Sequence, residues 1–177
     1  CCGAVLLGRM SDIVDYLLYV DKKTGLPNRE KLNIYIGEMA GKVLPEAFTC
    51  FTLNLDNLSE LTKRFGYTVG DGVLKDFAGL VQLMGDTEGM RGYNGIGRFV
   101  VFFEECSSKK AAAMIRILDN QVEEYNSLNP EYPIRYTAAW ATTEETDTYE
   151  IRELLRLSQK KWKQMEKEKK DKTEEET

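Results

Sequence analysis

Apolar side chains recur at helical spacing in six separate stretches of the chain. The first lies between residues 9 and 20, where Ile13, Leu17 and Val20 share one face of a predicted helix. Turn residues separate the stretches: Pro27 and Asn28 can start the second helix, and Pro130 ends the fifth. The six predicted helices cover residues 9–20, 28–41, 57–66, 70–85, 109–129 and 148–170.

A pattern with a period of two marks the predicted β-strands. From residue 48 to 55 the side chains alternate between two faces, and this strand is expected to end near Asp56. Residues 89–104 combine a glycine-punctuated turn with the β-prone run FVVFF, which predicts a hairpin, and residues 132–144 hold the last predicted strand. Without the N-terminal helices the order is βααββαβ. This order predicts an α+β fold, with helices on one face of a largely antiparallel sheet and residues 50–56 in the middle of that sheet.

The composition narrows the chemistry that is open to this chain. Its 177 residues include no histidine, and the net charge is −5. Because histidine is the commonest metal ligand and general base, any chemistry would rest on carboxylates, lysines or hydroxyls, with a hard cation where one is needed. A mildly acidic chain without a broad basic stripe argues against a nucleic acid partner. Reduced thiols are expected at all four cysteines, with Cys50 and Cys106 buried.

The chain is predicted to hold one domain between two shorter segments. Residues 1–20 are expected to form a helix or linker from an upstream region, residues 21–170 the domain, and residues 171–177 a frayed, charged tail or linker. The chain has no initiator methionine, and the apolar run CCGAVLLG is too short to span a bilayer. We therefore expect a piece of a larger protein that is cytoplasmic, or the cytoplasmic part of a membrane-anchored one.

Three segments carry a more specific pattern. DKKTGLPNR, residues 21–29, resembles the wide-turn motif DxxTGLxNR that begins GGDEF domains, the diguanylate cyclase family. Residues 53–74 resemble the family's next signature, a strand ending in DxD followed by a short helix and FGHxxGDxxL. The same spacing brings Gly95, Ile96, Gly97, Arg98 and Phe99 onto the GGDEF letters. The resemblance covers about residues 15–170 and implies a nucleotide-cyclase-like (ferredoxin- or palm-like) fold, with a central antiparallel sheet flanked by helices.

The resemblance also implies an activity, and it shows which motif residues needed for that activity are missing. Family members condense two GTP molecules into cyclic di-GMP within a dimer, using divalent cations held by carboxylates. The first carboxylate of DxD falls on Asn54, and the acidic third and fourth letters of GGDEF fall on Gly97 and Arg98. An amide carries no charge, a glycine has no side chain, and an arginine repels a cation. This pattern indicates a retained fold without the catalytic carboxylates.

Other family letters have changed as well. The asparagine that reads guanine falls on Thr62, while its partner carboxylate is kept as Asp71. Asp71, Thr62, Arg98 and Lys169 are therefore the predicted nucleotide contacts. At four more positions this chain differs from the family: Tyr67 replaces its histidine, Met165 its phosphate-contacting lysine, Lys169 the nearby arginine, and Trp162 its usual tyrosine. The family's RxxD inhibition site would fall on Asp86 and Met90, and it is absent.

Several residues have a purely structural alternative. Asp56 is most simply the N-cap of the helix that follows, and otherwise a relocated metal ligand. Asp71 is either an N-cap or a guanine contact, and Arg98 is either a solvated charge or a contact for an anion. Trp140 and Trp162 are expected to pack, and the lysine-rich stretch 160–172 is expected to be a solvated helix face.

The leading hypothesis is a degenerate GGDEF domain without cyclase activity. It would serve as a regulatory, dimerising or GTP-sensing module in bacterial cyclic di-GMP signalling. Expected partners are other domains of the same protein, such as an EAL-type phosphodiesterase or a sensor domain, and a second copy of the chain. No cofactor is expected; Mg²⁺ and GTP enter only under the alternative of an active cyclase that uses Asp56. A third hypothesis is a structural linker domain that binds no nucleotide.

Overall fold

A computed structural model gives the backbone of residues 2–85 and 88–175 and the side chains of residues 7–85 and 88–173. The helices and strands alternate in the predicted βααββαβ order once the first two helices are set aside. They are α1 (Cys2–Tyr19), α2 (Arg29–Met39), β1 (Thr49–Leu55), α3 (Leu58–Phe65), α4 (Tyr67–Gln82), β2 (Gly89–Tyr93), β3 (Arg98–Phe103), α5 (Ser108–Leu128), β4 (Tyr136–Thr142), α6 (Thr143–Thr146) and α7 (Ile151–Glu175).

The four strands form one antiparallel sheet in the order β2-β3-β1-β4. The predicted central position of β1 is confirmed, since it pairs with β3 on one side and with β4 on the other. In this register Asn54 lies opposite Arg98 on β3 and opposite Thr137 on β4. Three residues that are far apart in the sequence are thereby brought side by side at one end of the sheet.

Helices cover both faces of the sheet, so the prediction that they pack on one face is wrong. On one face Phe51, Leu53 and Leu55 pack into a core with α3, α4 and α5. On the other face Cys50 joins a smaller core with apolar side chains from α2 and α7, among them Leu32 and Leu154. The reason is visible in β1, where both alternating faces are buried. A strand that is buried on both sides needs a layer of helices on each side.

Several helix boundaries differ from the predictions. Gly66, with a φ of 91°, ends α3, and α4 begins at the next residue instead of at 70. Asp71 therefore lies inside α4 and is not an N-cap. The short helix α6 was not predicted, and α7 continues to Glu175, five residues beyond the predicted end at residue 170. Pairs one turn apart, such as Glu166 with Lys170, support the end of α7.

The remaining local predictions hold or stay open. Asn28 caps α2, because its side chain accepts a hydrogen bond from the Lys31 backbone N–H at 3.0 Å. Cys50 and Cys106 are buried and reduced. Among the described residues, no helix is both long enough and apolar enough to cross a bilayer. The proposed division at residues 20 and 170 stays a prediction.

Candidate functional site

The turn between β2 and β3 is held in an unusual backbone conformation. Gly95, Ile96 and Gly97 follow one another with φ values of 83°, 54° and 74°. Only glycine adopts such angles without cost, and a β-branched isoleucine is rare there. A side chain at Gly97 would also be crowded, because its Cβ atom would lie 3.1 Å from the carbonyl oxygen of Leu55.

The tip of this hairpin is fastened to three other parts of the domain. The Gly97 carbonyl accepts a hydrogen bond from the Leu55 backbone N–H at 2.8 Å, which ties the tip to the end of β1. The Gly97 N–H donates to the hydroxyl of Tyr93 at 3.0 Å. Arg29, at the start of α2, donates to the side chain and the backbone carbonyl of Asn94 at 3.1 and 2.7 Å. The turn is thus positioned by the sheet and by the first residue of α2.

A polar network closes the end of the sheet beside this turn. Asp56 accepts hydrogen bonds from the Asn54 amide at 2.9 Å and from the Thr137 hydroxyl at 2.6 Å. Lys169 on α7 donates to Thr137 Oγ1 at 2.7 Å and to the carbonyl oxygen of Tyr136 at 3.0 Å. Its ammonium nitrogen lies 3.7 Å from Asp56 Oδ2. These contacts join the ends of β1 and β4 to α7.

Two neighbouring cavities open onto the network, with volumes of about 360 and 270 Å³. Both are lined by Asn54, Asp56 and Glu166. Lys169 and Lys170 line the larger cavity, whereas Ile96, Arg98 and Trp162 line the smaller one. We call this pair of cavities the sheet-end cleft.

Arg98 enters the sheet-end cleft against an aromatic wall. Its guanidinium lies 5.4 Å from the centre of the Trp162 ring, a distance typical of a cation–π contact. Trp162 is buried, as predicted, with 5% of its surface exposed. Within the described part of the chain Arg98 forms no ion pair. Its charge is therefore available to an anion. That Arg98 contacts an anion stays a prediction.

Among the described contacts, neither predicted guanine contact, Asp71 or Thr62, belongs to this network, and Asp71 lies beside the turn that precedes α2. Asp71 forms an ion pair with Lys23 at 3.1 Å, and this hydrogen bond raises the pKa of Lys23 above its usual range. Thr62 lies against Gly70, where any added Cβ would overlap its hydroxyl. The turn itself is closed by Asp21, whose carboxylate accepts hydrogen bonds from Thr24 Oγ1 and from the Thr24 backbone N–H, both at 2.8 Å.

The fold and the order of these segments agree with a match to a known family. A family model described as diguanylate cyclase, GGDEF domain, matches residues 18–172. The chain belongs to the GGDEF domain family. No protein in a search of curated sequences matches it.

Solved structures of GGDEF domains share this architecture at low sequence identity. A diguanylate cyclase/phosphodiesterase from Caldicellulosiruptor saccharolyticus is 19% identical with a TM-score of 0.65, and the match covers 86% of this chain and 91% of that one. The active GGEEF domain of a diguanylate cyclase from Vibrio cholerae is 19% identical with a TM-score of 0.62, covering 70% and 78%. The S helix-GGDEF-EAL part of Vibrio cholerae LapD, bound to c-di-GMP, is 13% identical with a TM-score of 0.63, covering 77% and 32%. This chain thus spans about a third of that LapD fragment.

The residues of this GGDEF domain do not fit the divalent cations that the family reaction uses. Asn54 directs an N–H group toward Asp56, Gly97 offers no ligand, and Arg98 brings a positive charge. Mg²⁺ needs oxygen ligands in near-octahedral geometry, with one or two protein carboxylates among them. In the described part of the chain, no three carboxylate or thiol side chains are grouped so that they could hold a metal ion.

Other predicted positions are placed as follows. Asp56 is not an N-cap, because its carboxylate is taken up by Asn54 and Thr137, and α3 begins after Asn57. Tyr67 is 76% exposed and Met165 is 39% exposed, so neither is held within the domain core. The absent inhibition site was placed on Met90, which lies in β2, and on Asp86, which lies outside the described residues.

Sequence reasoning missed three residues that contact predicted site residues or line the sheet-end cleft of this GGDEF domain: Lys23, Thr137 and Glu166. A signal existed for Glu166, since it lies four residues after Trp162 and three before Lys169, the spacing of one helix face. Lys23 and Thr137 gave no such signal, because their partners lie 48 and 81 residues away in the chain.

The backbone of the hairpin predicts opposite effects for two neighbouring substitutions. Gly97→Asp should lower the free energy of unfolding by about 1–2 kcal/mol, because it forces a side chain into a left-handed position beside Leu55. Ile96→Asn should raise it by about 1 kcal/mol, because asparagine tolerates this conformation and Ile96 is 83% exposed. Urea unfolding of both variants measures the difference. Equal stabilities would contradict the assigned turn geometry.

Proposed function

We propose that this GGDEF domain does not synthesise cyclic di-GMP and acts as a regulatory module in cyclic di-GMP signalling. One observation carries the proposal. Where the family signature requires carboxylates, this chain has the amide of Asn54 and the guanidinium of Arg98, which both line the sheet-end cleft, and the buried Gly97, which has no side chain. The wide turn and the strands around it are intact.

At Arg98 the chain does more than lose a metal ligand, because it also gains a positive charge. Arg98 pairs directly with Asn54 across β1 and β3, so its charge enters the region where the missing ligands would meet a cation. Metal-assisted phosphoryl transfer depends on cations that neutralise charge on the phosphates and orient the reacting oxygens. A fixed guanidinium opposes a cation at short range. A guanidinium also has no vacant coordination position, so it could not supply the activation of a 3′-hydroxyl that a divalent cation would supply.

A second candidate function has one observation in its favour. Asp56 and Glu166 both line the sheet-end cleft and could supply oxygen ligands from new positions. This is the active cyclase with relocated ligands. We rank it below the first proposal because Asp56 already accepts two hydrogen bonds and lies beside Lys169.

The catalytic test is a direct product assay. The unmodified domain, incubated at high concentration with GTP and either Mg²⁺ or Mn²⁺, should yield no cyclic di-GMP by chromatography, because each missing ligand costs a factor of about 100 or more in rate. The triple variant Asn54→Asp, Gly97→Asp, Arg98→Glu should give at most a trace, since the second change also strains the turn. Product from the unmodified domain that disappears in Asp56→Ala would establish the relocated-ligand cyclase instead.

Nucleotide sensing is the regulatory role that the remaining charges support. Arg98, Lys169 and Lys170 outnumber the two carboxylates that line the sheet-end cleft, Asp56 and Glu166. These side-chain cations could bind a triphosphate there without a metal. Because Asp71 is already engaged by Lys23, the gain from a guanine contact is reduced by the need to displace that pair.

We therefore expect weak GTP binding that does not depend on Mg²⁺. The dissociation constant should be no tighter than roughly 100 μM, or about −5.5 kcal/mol, by titration calorimetry with and without the metal. Arg98→Gln should weaken binding, whereas Arg152→Gln, an exposed change elsewhere on the protein, should not. Sub-micromolar, Mg²⁺-dependent binding would contradict the placement of Asn54, Gly97 and Arg98. Complete absence of binding would favour the structural linker domain.

Partner domains of the same protein fit this role. The LapD fragment holds a GGDEF and an EAL domain in one chain, and this chain corresponds to about a third of it, at 32% coverage. We infer a multidomain, cytoplasmic context in which an EAL-type phosphodiesterase or a sensor domain receives or sends the signal. Nucleic acid is not among the proposed partners.

The helix α1 supplies a surface for the dimerising role. Its apolar side chains Leu7, Met10, Val14 and Leu17 are 70%, 62%, 48% and 57% exposed. They are separated by three, four and three residues, the heptad spacing of a coiled-coil seam. Arg9, Asp12 and Asp15 fall outside this seam, so no charge opposes the pairing of two copies.

Dimerisation through α1 can be tested by charging the seam. Met10→Glu with Leu17→Glu should shift the protein from dimer to monomer in sedimentation velocity, because buried carboxylates would face each other across the seam. Arg9→Glu, a change of charge on the opposite side, should leave the dimer intact. A monomeric unmodified protein, or dimers in both variants, would count against α1 as the interface.

A further inference from the structure

The carboxylate of Asp56 accepts one hydrogen bond from the protein on each of its two oxygens, and its side chain is 30% exposed. Asn54 Nδ2 donates to Oδ1 at 2.9 Å, and Thr137 Oγ1 donates to Oδ2 at 2.6 Å. Thr137 can give its one proton to Asp56 because its oxygen accepts from the Lys169 ammonium at 2.7 Å. Lys169, Thr137 and Asp56 thus form a chain of two hydrogen bonds, in which each bond polarises the other.

The positive charge that balances Asp56 comes from α7. Lys169 Nζ lies 3.7 Å from Asp56 Oδ2 and is held in place by the Tyr136 carbonyl oxygen at 3.0 Å. Lys170, the next residue, bonds to Glu166 at 3.0 Å, and Glu166 is the other carboxylate that lines the cleft. Each carboxylate of the sheet-end cleft thus has an ammonium group beside it.

The amide of Asn54 is oriented by the same network. Next to a carboxylate an amide must present its N–H group, because its oxygen would be repelled. The Asn54 nitrogen therefore faces Asp56 and supplies no oxygen ligand on that side. A divalent cation approaching Asp56 would have to displace Lys169 and reverse this amide together.

We infer that Lys169 is a built-in counter-ion that takes the place of a divalent cation at Asp56 and excludes one from the sheet-end cleft. This deepens the proposed function, since it names the group that makes the site independent of metal. A lysine ammonium is a compact charge with three donors, which suits it to bridge a carboxylate, a hydroxyl and a carbonyl oxygen. It cannot polarise a phosphate as a divalent cation does, but it neutralises the site.

The inference is tested by metal binding to the free protein, without nucleotide. Titration of Mn²⁺ followed by electron paramagnetic resonance should show no site on the unmodified domain at millimolar metal. Lys169→Met should bind Mn²⁺ at least about tenfold more tightly, because Asp56 then has no neighbouring cation. Lys167→Met removes the same charge from an exposed position on α7 and should behave as the unmodified protein does.

A second variant separates a local site from a general change in charge. Lys169→Met combined with Asp56→Asn should lose the gained Mn²⁺ affinity, and far-ultraviolet circular dichroism confirms that each variant is folded. Equal Mn²⁺ binding by Lys169→Met and Lys167→Met would overturn the inference, as would a tight site on the unmodified domain. Neither result depends on the product assay, so the counter-ion role and the lack of cyclase activity can fail separately.

Discussion

The antiparallel pairing of β1 with a strand on each side is the constraint on which the rest of the structure depends. It buries both faces of β1 and so demands helices on both sides of the sheet. It also sets the register that places Asn54 between Arg98 and Thr137. Because a shift of one residue would turn every side chain to the opposite face, burial fixes this register strongly. The composition of the sheet-end cleft follows from hydrophobic packing several residues away.

Several residues of the family motifs form hydrogen bonds that stabilise the backbone, and this role does not involve a nucleotide. Asp21 closes the turn before α2 with bonds to Thr24, and Arg29 holds the hairpin through Asn94. Losing any of these would leave backbone groups unpaired or strained, which costs stability whether or not a ligand binds. A carboxylate that only holds a metal has no such second task, so a chain can lose it and still fold.

The same division explains how much could be predicted from the sequence. The alternation around β1 and the glycines of the hairpin are local patterns, and they predicted the sheet and its central strand. The start of α4 was missed because Gly66, in a left-handed conformation, ends one helix and begins the next without a gap. Asp56 was misread as a cap because its true partner, Thr137, lies 81 residues away. Local rules favour the nearest backbone N–H, and only the pairing of β1 with β4 reveals the competing hydroxyl.

Charge balance links these observations at the end of the sheet. Asp56 and Glu166 line one cleft, and positive charge near them offsets the repulsion between two carboxylates. A solvent-derived cation can supply that charge only while enough oxygen ligands converge on it. With an amide at Asn54 and no side chain at Gly97, side-chain ammonium groups on α7 become the better source, since they are tethered and need fewer ligands. The helix α7 is thereby attached to the sheet by the same contacts that neutralise the cleft, and anything that binds there must compete with that attachment.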